Sequence, residues 1–303
     1  LHGAARIGRN EVGHALGRAM GAVRRREGVV HEDVAKPRKQ LREGLVVLFL
    51  ARMVARVLHQ HALAGFRVDP GDGPGVSAVI EHKSGLFYIQ EAASMLPVEL
   101  FSPIKQNQLL TLDLAASPGG KTTHLDSSQK DAGLVLANDS SQGRIQALKI
   151  VLQRWGATNT AVTRFPGEKF GSWFPNTFDR VLIDAPCSMQ GLRVADSHES
   201  RPATEKESRA LAQRQIALLS SALQAVKPGG EVVYSTCTLL PAEDEGVVDA
   251  VLNKFSKAIT LIDAQARLPF PAPGLHCLDS LENANLMNRV VRLWPHRYQT
   301  AGF

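Results

Sequence analysis

The stretch Leu109-Leu110-Thr111-Leu112-Asp113-Leu114-Ala115-Ala116-Ser117-Pro118-Gly119-Gly120-Lys121-Thr122 decides how this chain folds. Its first half, LLTLDL, is apolar on both faces and reads as a strand buried in a parallel sheet. Its second half is a glycine-rich turn that opens a helix running to about Ser127. Glycines let backbone approach a ligand, and the free N–H groups of a helix N-terminus attract an anion. Two ligands fit such a turn: a nucleotide phosphate or the carboxylate of an amino-acid cofactor. A phosphate-binding loop of the GxxxxGK[ST] type needs glycine where this chain has Ala115, which counts against a nucleoside triphosphatase. A plain strand-to-helix turn, which glycine and proline make common, is the other reading.

Outward from this point the text is regular. Leu134 to Asp139 reads as a second strand and Gln142 to Trp155 as a helix with apolar positions Ile145, Leu148 and Leu152. Thr160 to Phe165 and Arg180 to Ala185 are the third and fourth strands. Thr204 to Val226 is a long helix stopped by Pro228-Gly229-Gly230; Glu231 to Thr236 is the fifth strand, and Glu243 to Phe255 a further helix. Alternating strands and helices predict an α/β fold with a parallel sheet covered on both faces. Ligands of such sheets bind beyond the carboxyl ends of the strands, at the topological switch point.

The first 75 residues are poorly punctuated. Leu41 to His61 carries apolar residues at helical spacing, and Gly71-Asp72-Gly73-Pro74-Gly75 reads as a linker. Residues 1 to 60 hold 12 Lys/Arg against 5 Asp/Glu, so the whole basic excess of this chain, net +6, sits there. That asymmetry fits an appendage facing a polyanion, or a solvated arginine-rich segment without a partner. The 44% hydrophobic content over 303 residues excludes a disordered chain. The apolar run Leu45 to Leu50 is too short to span a bilayer, which needs about 20 residues. Three cysteines build no disulfide framework and point to a reducing compartment; a cytoplasmic protein is expected.

Chemistry concentrates at strand ends. Asp139 closes the second strand, where sheets of this type place an acid for ribose hydroxyls; alone it reads equally as a cap or turn residue. Asp184-Ala185-Pro186-Cys187 closes the fourth strand and Ser235-Thr236-Cys237-Thr238 the fifth. A single buried cysteine is usually structural, and Cys277 is read so. Two cysteines at matching strand ends, one with an aspartate three residues earlier, favour reactivity. A pyrimidine offers a use for them. Carbon 5 of cytosine is a poor nucleophile until a thiolate adds to carbon 6 and makes it enamine-like. A carboxyl group on the N3/N4 edge favours that addition, and a second thiol can help remove the carbon-5 proton. The thiolate needs nearby positive charge, for which Lys121 and the glycine-rich helix N-terminus are candidates.

At these residues the sequence resembles the RNA (cytosine-carbon-5)-methyltransferase family, and within it the bacterial enzymes of small-subunit ribosomal RNA. The likeness runs from about Phe87 to Phe303. It rests on FYIQEAASMLP (Phe87 to Pro97), DLAASPGGKTT (Asp113 to Thr123), LIDAPCS (Leu182 to Ser188), KPGGEVVYSTCTL (Lys227 to Leu239) and RLWPHRYQTAGF (Arg292 to Phe303). The resemblance implies a Rossmann-like class I methyltransferase domain over 87–303, using S-adenosylmethionine, with a basic N-terminal region over 1–86. It implies Cys237 as the nucleophile, Cys187 as the cysteine of product release, and Asp184 on the cytosine edge beside the cofactor. Ala116, Pro118, Gly119, Gly120 and Lys121 would line the methionine end of the cofactor and Asp139 its ribose; no metal ligand is assigned. RNA, most of all ribosomal RNA, is the implied partner of a monomer.

The sequence departs from the family pattern at several points. Proline (Pro166) stands where an adenine-contacting aspartate is usual, so either Glu168 substitutes or adenine recognition weakens. DAPCSGxG reads DAPCSMQG, with Met189 in place of glycine. Upstream of Phe87 there is no RVN-type arginine motif, Gly65 to Asp69 being a faint echo. The family chain continues through an apolar strand after GF, so a missing strand would leave one sheet edge unpaired. An impaired homologue that binds cofactor and RNA without methyl transfer is the alternative these departures raise.

Overall fold

A computed structural model of the chain describes residues 76–78, 80–104, 108–129, 133–192, 202–275, 278, 280–298 and 300–303. The basic N-terminal segment, the apolar stretch from Leu41 to His61, the glycine linker and Cys277 lie outside them.

The apolar runs form five strands: β1 (Leu110–Asp113), β2 (Leu134–Asn138), β3 (Thr160–Thr163), β4 (Phe178–Asp184) and β5 (Val226–Ser235). They make one parallel sheet in the order β3-β2-β1-β4-β5. Every residue of β1 and β2 is buried, as continuous apolar runs require when both faces are covered. The covering helices are α1 (Ala92–Glu99), α2 (Gly120–Ser128), α3 (Gln142–Trp155), α4 (Glu205–Ala225) and α5 (Glu245–Phe255). Chain order reverses between β1 and β4, so the crevice opens where Asp113 and Asp184 end their strands.

Local chemistry explains the helix positions. Ser141 caps α3, and Gly156 ends it in a left-handed conformation. Its periodic residues Ile145, Leu148 and Leu152 are the ones buried, against Ala116 and Ala137. Thr204 and Glu207 form a capping box at the start of α4. Leu218, Leu219 and Ala222 of α4 pack with Phe170, Phe174 and Phe178 in the largest core cluster, beneath β4.

One expectation is corrected. The long helix ends at Ala225, and Val226 pairs with Phe178 before the proline-glycine stretch rather than after it. Pro228-Gly229-Gly230 is therefore an irregularity inside β5, where the register shifts between Phe178 and Arg180. Past it the pairing is regular and ends with Asp184 opposite Ser235. Among the described residues β5 is an edge strand, and no helix is long and apolar enough to cross a membrane.

Candidate active site

The glycine turn sits between β1 and α2. Gly119 has φ 117°, a conformation that side chains rarely adopt. A Cβ on Gly120 would lie 2.9 Å from the Tyr88 ring, so that ring approaches bare backbone. Asp139 holds the turn from behind. Its Oδ2 accepts the Ser117 N–H (3.3 Å) and its Oδ1 accepts the Ser141 N–H (2.9 Å). The carboxylate is buried and does not line the cleft, so its contacts are those of a turn residue.

The cleft encloses about 190 Å³. Of the residues singled out from sequence, Ala116, Pro118, Gly120, Lys121 and Asp184 line it, whereas Gly119, Asp139, Cys187 and Cys237 do not. Glu168 is also absent from the lining, its Oε1 lying 3.2 Å from the Arg214 guanidinium. The opposite wall was not anticipated. Tyr88, Gln90, Glu91 and Ser94 supply it, from the FYIQEAAS stretch and the first turn of α1. Glu91 caps α1 through Oε2, which accepts the N–H groups of Ala93 (2.7 Å) and Ser94 (3.3 Å). Its Oε1 accepts the Ala301 N–H (3.0 Å) and the Thr300 hydroxyl, joining this wall to the last residues of the sequence.

Asp113 closes the floor. It is completely buried, Oδ2 accepts the Thr122 hydroxyl at 2.7 Å, and Oδ1 has no partner. Burial is the main reason its carboxyl is pushed up to about 7, with the neighbouring Asp184 charge adding to the rise. A buried carboxyl in the cleft lining with one oxygen unpartnered fits a ligand that brings a positive charge.

At the far end, Lys121 Nζ lies 2.7 Å from Asp184 Oδ2 and 3.3 Å from the Ser94 hydroxyl. Ser235, paired with Asp184 across the strands, donates to Asp184 Oδ1 at 3.1 Å. Beyond Asp184 the two cysteines meet, Cys187 Sγ standing 3.2 Å from Cys237 Sγ. The backbone N–H of Cys237 also points at the Cys187 sulfur (3.3 Å). The pair is electrostatically unequal. The hydrogen bond from Cys187 holds the Cys237 thiol below its ordinary range, against burial and the Asp184 charge and with help from Lys121. The same bond, together with burial, pushes the Cys187 thiol up. Of the two, Cys237 is the readier thiolate.

The loop after Cys187 is fixed from two sides. The Gly191 N–H donates to the Cys237 carbonyl (3.0 Å), and the Gly302 N–H donates to the Gly191 carbonyl (2.6 Å). A Cβ on Gly191 would lie 2.5 Å from the Gly302 oxygen and 2.9 Å from that of Cys237. Phe303 follows, its ring 5.1 Å from Lys121 Nζ.

A parallel α/β sheet whose switch point opens on a glycine turn, with a lysine–aspartate pair beyond, defines a Rossmann-like protein of the methyltransferase class. The chain belongs to the 16S rRNA methyltransferase RsmB/F family, whose model matches residues 100–303. It is 37% identical over 287 residues to ribosomal RNA small subunit methyltransferase F of Aeromonas hydrophila subsp. hydrophila, covering 90% of this chain and 58% of that protein. The protein of the same name from Erwinia tasmaniensis is 36% identical over 239 residues, covering 78% and 47%. The chain therefore spans about half to three-fifths of the length of these relatives. Among solved structures, NSun6 from Pyrococcus horikoshii with SFG superimposes with TM-score 0.64 at 28% identity, covering 80% of this chain and 56% of that one. A methyltransferase homolog protein from the same organism gives TM-score 0.62 at 28% identity, covering 76% and 70%.

Proposed function

We propose that this chain transfers a methyl group from S-adenosylmethionine to carbon 5 of a cytosine in small-subunit ribosomal RNA, with Cys237 as the nucleophile. The observation that carries this reading is the thiol pair, 3.2 Å apart just past the Lys121–Asp184 pair at the end of the cleft. The relatives named as small-subunit methyltransferases and the NSun6 structure with SFG, an analogue of S-adenosylmethionine, support the substrate and the cofactor.

The cleft suits that cofactor. The cleft of about 190 Å³ offers room for an amino-acid moiety, and the unpartnered Asp113 Oδ1 a counter-charge for its ammonium group. Ala116, Pro118, Gly120 and Lys121 would hold the methionine end, with Asp113 beneath. When bound, S-adenosylmethionine supplies an electrophilic methyl group.

The chain's own residues do the rest. The Cys237 thiolate adds to carbon 6 of cytosine, forming an S–C6 bond and shifting the C5–C6 electron pair to carbon 5. Asp184, steadied by Lys121 and Ser235, hydrogen-bonds the N3/N4 edge and favours that addition. After carbon 5 is methylated, Cys187 helps move its proton away, and the returning electron pair expels Cys237. The target base must leave its stack to reach the pair, since stacking shields carbons 5 and 6.

The test is incubation of the protein with labelled methyl donor and small-subunit ribosomal RNA, followed by nucleoside analysis for 5-methylcytosine. Cys237→Ala should abolish the product and retain cofactor binding; full turnover by that variant rejects the assignment. Cys187→Ala should accumulate a gel-stable protein–RNA adduct. Cofactor binding without methyl transfer by the unaltered chain would favour an impaired homologue instead.

A further inference from the structure

The loop that carries Cys187 is gripped on both sides of the cysteine by two residues outside the cleft. Pro186 precedes it, and its carbonyl accepts the Gln215 amide at 2.9 Å. Ser188 follows it, and its N–H donates to Glu243 Oε2 at 2.9 Å. The second hydrogen of the same Gln215 amide goes to Glu243 Oε2 (3.0 Å), which closes the arrangement into a triangle. Ser208 of α4 donates to Glu243 Oε1 (3.1 Å), and Tyr234 of β5 donates to the Glu243 backbone carbonyl (2.7 Å). Glu243 and Gln215 are both fully buried.

This cluster is costly for its size. Among the described residues the buried Glu243 side chain is bonded by neutral donors, and Gln215 leaves its Oε1 without a partner. An apolar pair would fill the space more cheaply. What the polar pair adds is direction, because it fixes the backbone at Pro186 and Ser188. The next residue, Asp244, acts on the other thiol loop. Its Oδ1 accepts the Thr236 hydroxyl (2.6 Å), one residue before Cys237, and Arg292 joins Asp244 Oδ2 (3.0 Å) to the Leu239 carbonyl (2.9 Å). Two consecutive acids at the start of α5 therefore each anchor one cysteine loop.

We propose that Glu243 and Gln215 are positioning residues that hold the Cys187 loop so that its sulfur stays in contact with Cys237. The inference rests on the two-cysteine reading of the site, and deepens it by naming what sets the spacing. Neither residue lines the cleft, and their side chains bond the backbone on either side of Cys187.

The test reads thiol geometry without RNA or cofactor. Diamide takes two hydrogens from a thiol pair, which becomes a disulfide while the reagent becomes a hydrazine; the rate depends on how often the sulfurs meet. Peptide mass spectrometry follows the Cys187–Cys237 disulfide in the unaltered chain and in Glu243→Gln, Gln215→Leu and Ser208→Ala. Glu243→Gln and Gln215→Leu should slow capture about tenfold and Ser208→Ala, which removes a single donor, about twofold to threefold. Folding is checked by circular dichroism; if Glu243→Gln does not fold, Gln215→Leu and Ser208→Ala carry the comparison. Unchanged capture rates in the folded variants overturn the proposal. A second readout separates this inference from its parent. With RNA and methyl donor, Glu243→Gln should accumulate the same adduct as Cys187→Ala, with unchanged cofactor affinity. If Cys187→Ala forms no adduct, the two-cysteine mechanism falls, while the capture rates still decide the positioning claim. If Cys187→Ala forms the adduct and Glu243→Gln captures and turns over normally, the positioning claim alone falls.

Discussion

Asp113 should make the protein less stable as pH rises from about 4 to about 7, and Asp113→Asn should remove that loss. The carboxyl is fully buried with Oδ1 unpartnered, and burial raises it from its ordinary 3.8 to about 7. In the unfolded chain the group regains the ordinary value. Below pH 4 both states are protonated and the group contributes nothing to the pH dependence. Between 4 and 7 the folded state keeps a proton that the unfolded state releases, so stability falls by about 1.4 kcal/mol per pH unit. The full loss is about 4 kcal/mol, complete once pH exceeds the folded value. Asparagine cannot ionise, yet its carbonyl can still accept the Thr122 hydroxyl. The variant's stability relative to the unaltered protein should therefore climb by about 4 kcal/mol from pH 4 to pH 8. Asp244, also raised to about 7 by burial, imposes its own decline on both proteins and cancels in the comparison. Urea unfolding at pH 4.5, 6 and 8 in the absence of cofactor measures the difference. Parallel stability curves for the two proteins would refute the reasoning, because they would mean that Asp113 ionises as easily folded as unfolded.

Other expectations follow from single contacts. Cys187→Ala removes the hydrogen bond that lowers Cys237, so alkylation of Cys237 by iodoacetamide should inflect at higher pH; peptide-resolved mass spectrometry reads the shift, and an inflection unmoved or lower contradicts it. Gly191→Ala would place a methyl group 2.5 Å from the Gly302 carbonyl, between backbone segments that cannot rotate away. It should cost about 1–3 kcal/mol in thermal unfolding and reduce methyl transfer together with it. Arg292→Met would leave Asp244 and Glu245 buried without their shared cation and should cost about 3–5 kcal/mol, seen as a lowered urea midpoint.

The central strands β1 and β2 were legible because they are buried on both faces, so a largely apolar run such as Leu134–Asn138 announces itself. The face of α3 followed from periodicity, and the structure caps it with Ser141 and Gly156. The start of β5 was misread, since proline and glycine usually end elements and only the tertiary pairing of Val226 with Phe178 overrides them. In the site, matching strand ends sufficed to bring Cys187 and Cys237 together, because the two strands are neighbours in register. Asp139 was a different case: its position suits a ribose, and the amides of Ser117 and Ser141, one on each of its oxygens, mark it as a turn residue as well. Glu243 carried no local signal, for its bond to Ser188 joins residues 55 apart and has no periodicity. The wall from Tyr88 to Ser94 was visible as a motif without a role, since nothing in FYIQEAAS shows that it folds over Gly120.

The bonds from Thr300 and Ala301 to Glu91 span 209 and 210 residues, nearly the whole described part of the chain. During synthesis the sheet and both cysteine loops leave the ribosome well before the segment that latches this rim. The Glu91 wall is therefore completed only when Thr300 and Ala301 dock, after both cysteine loops have been made.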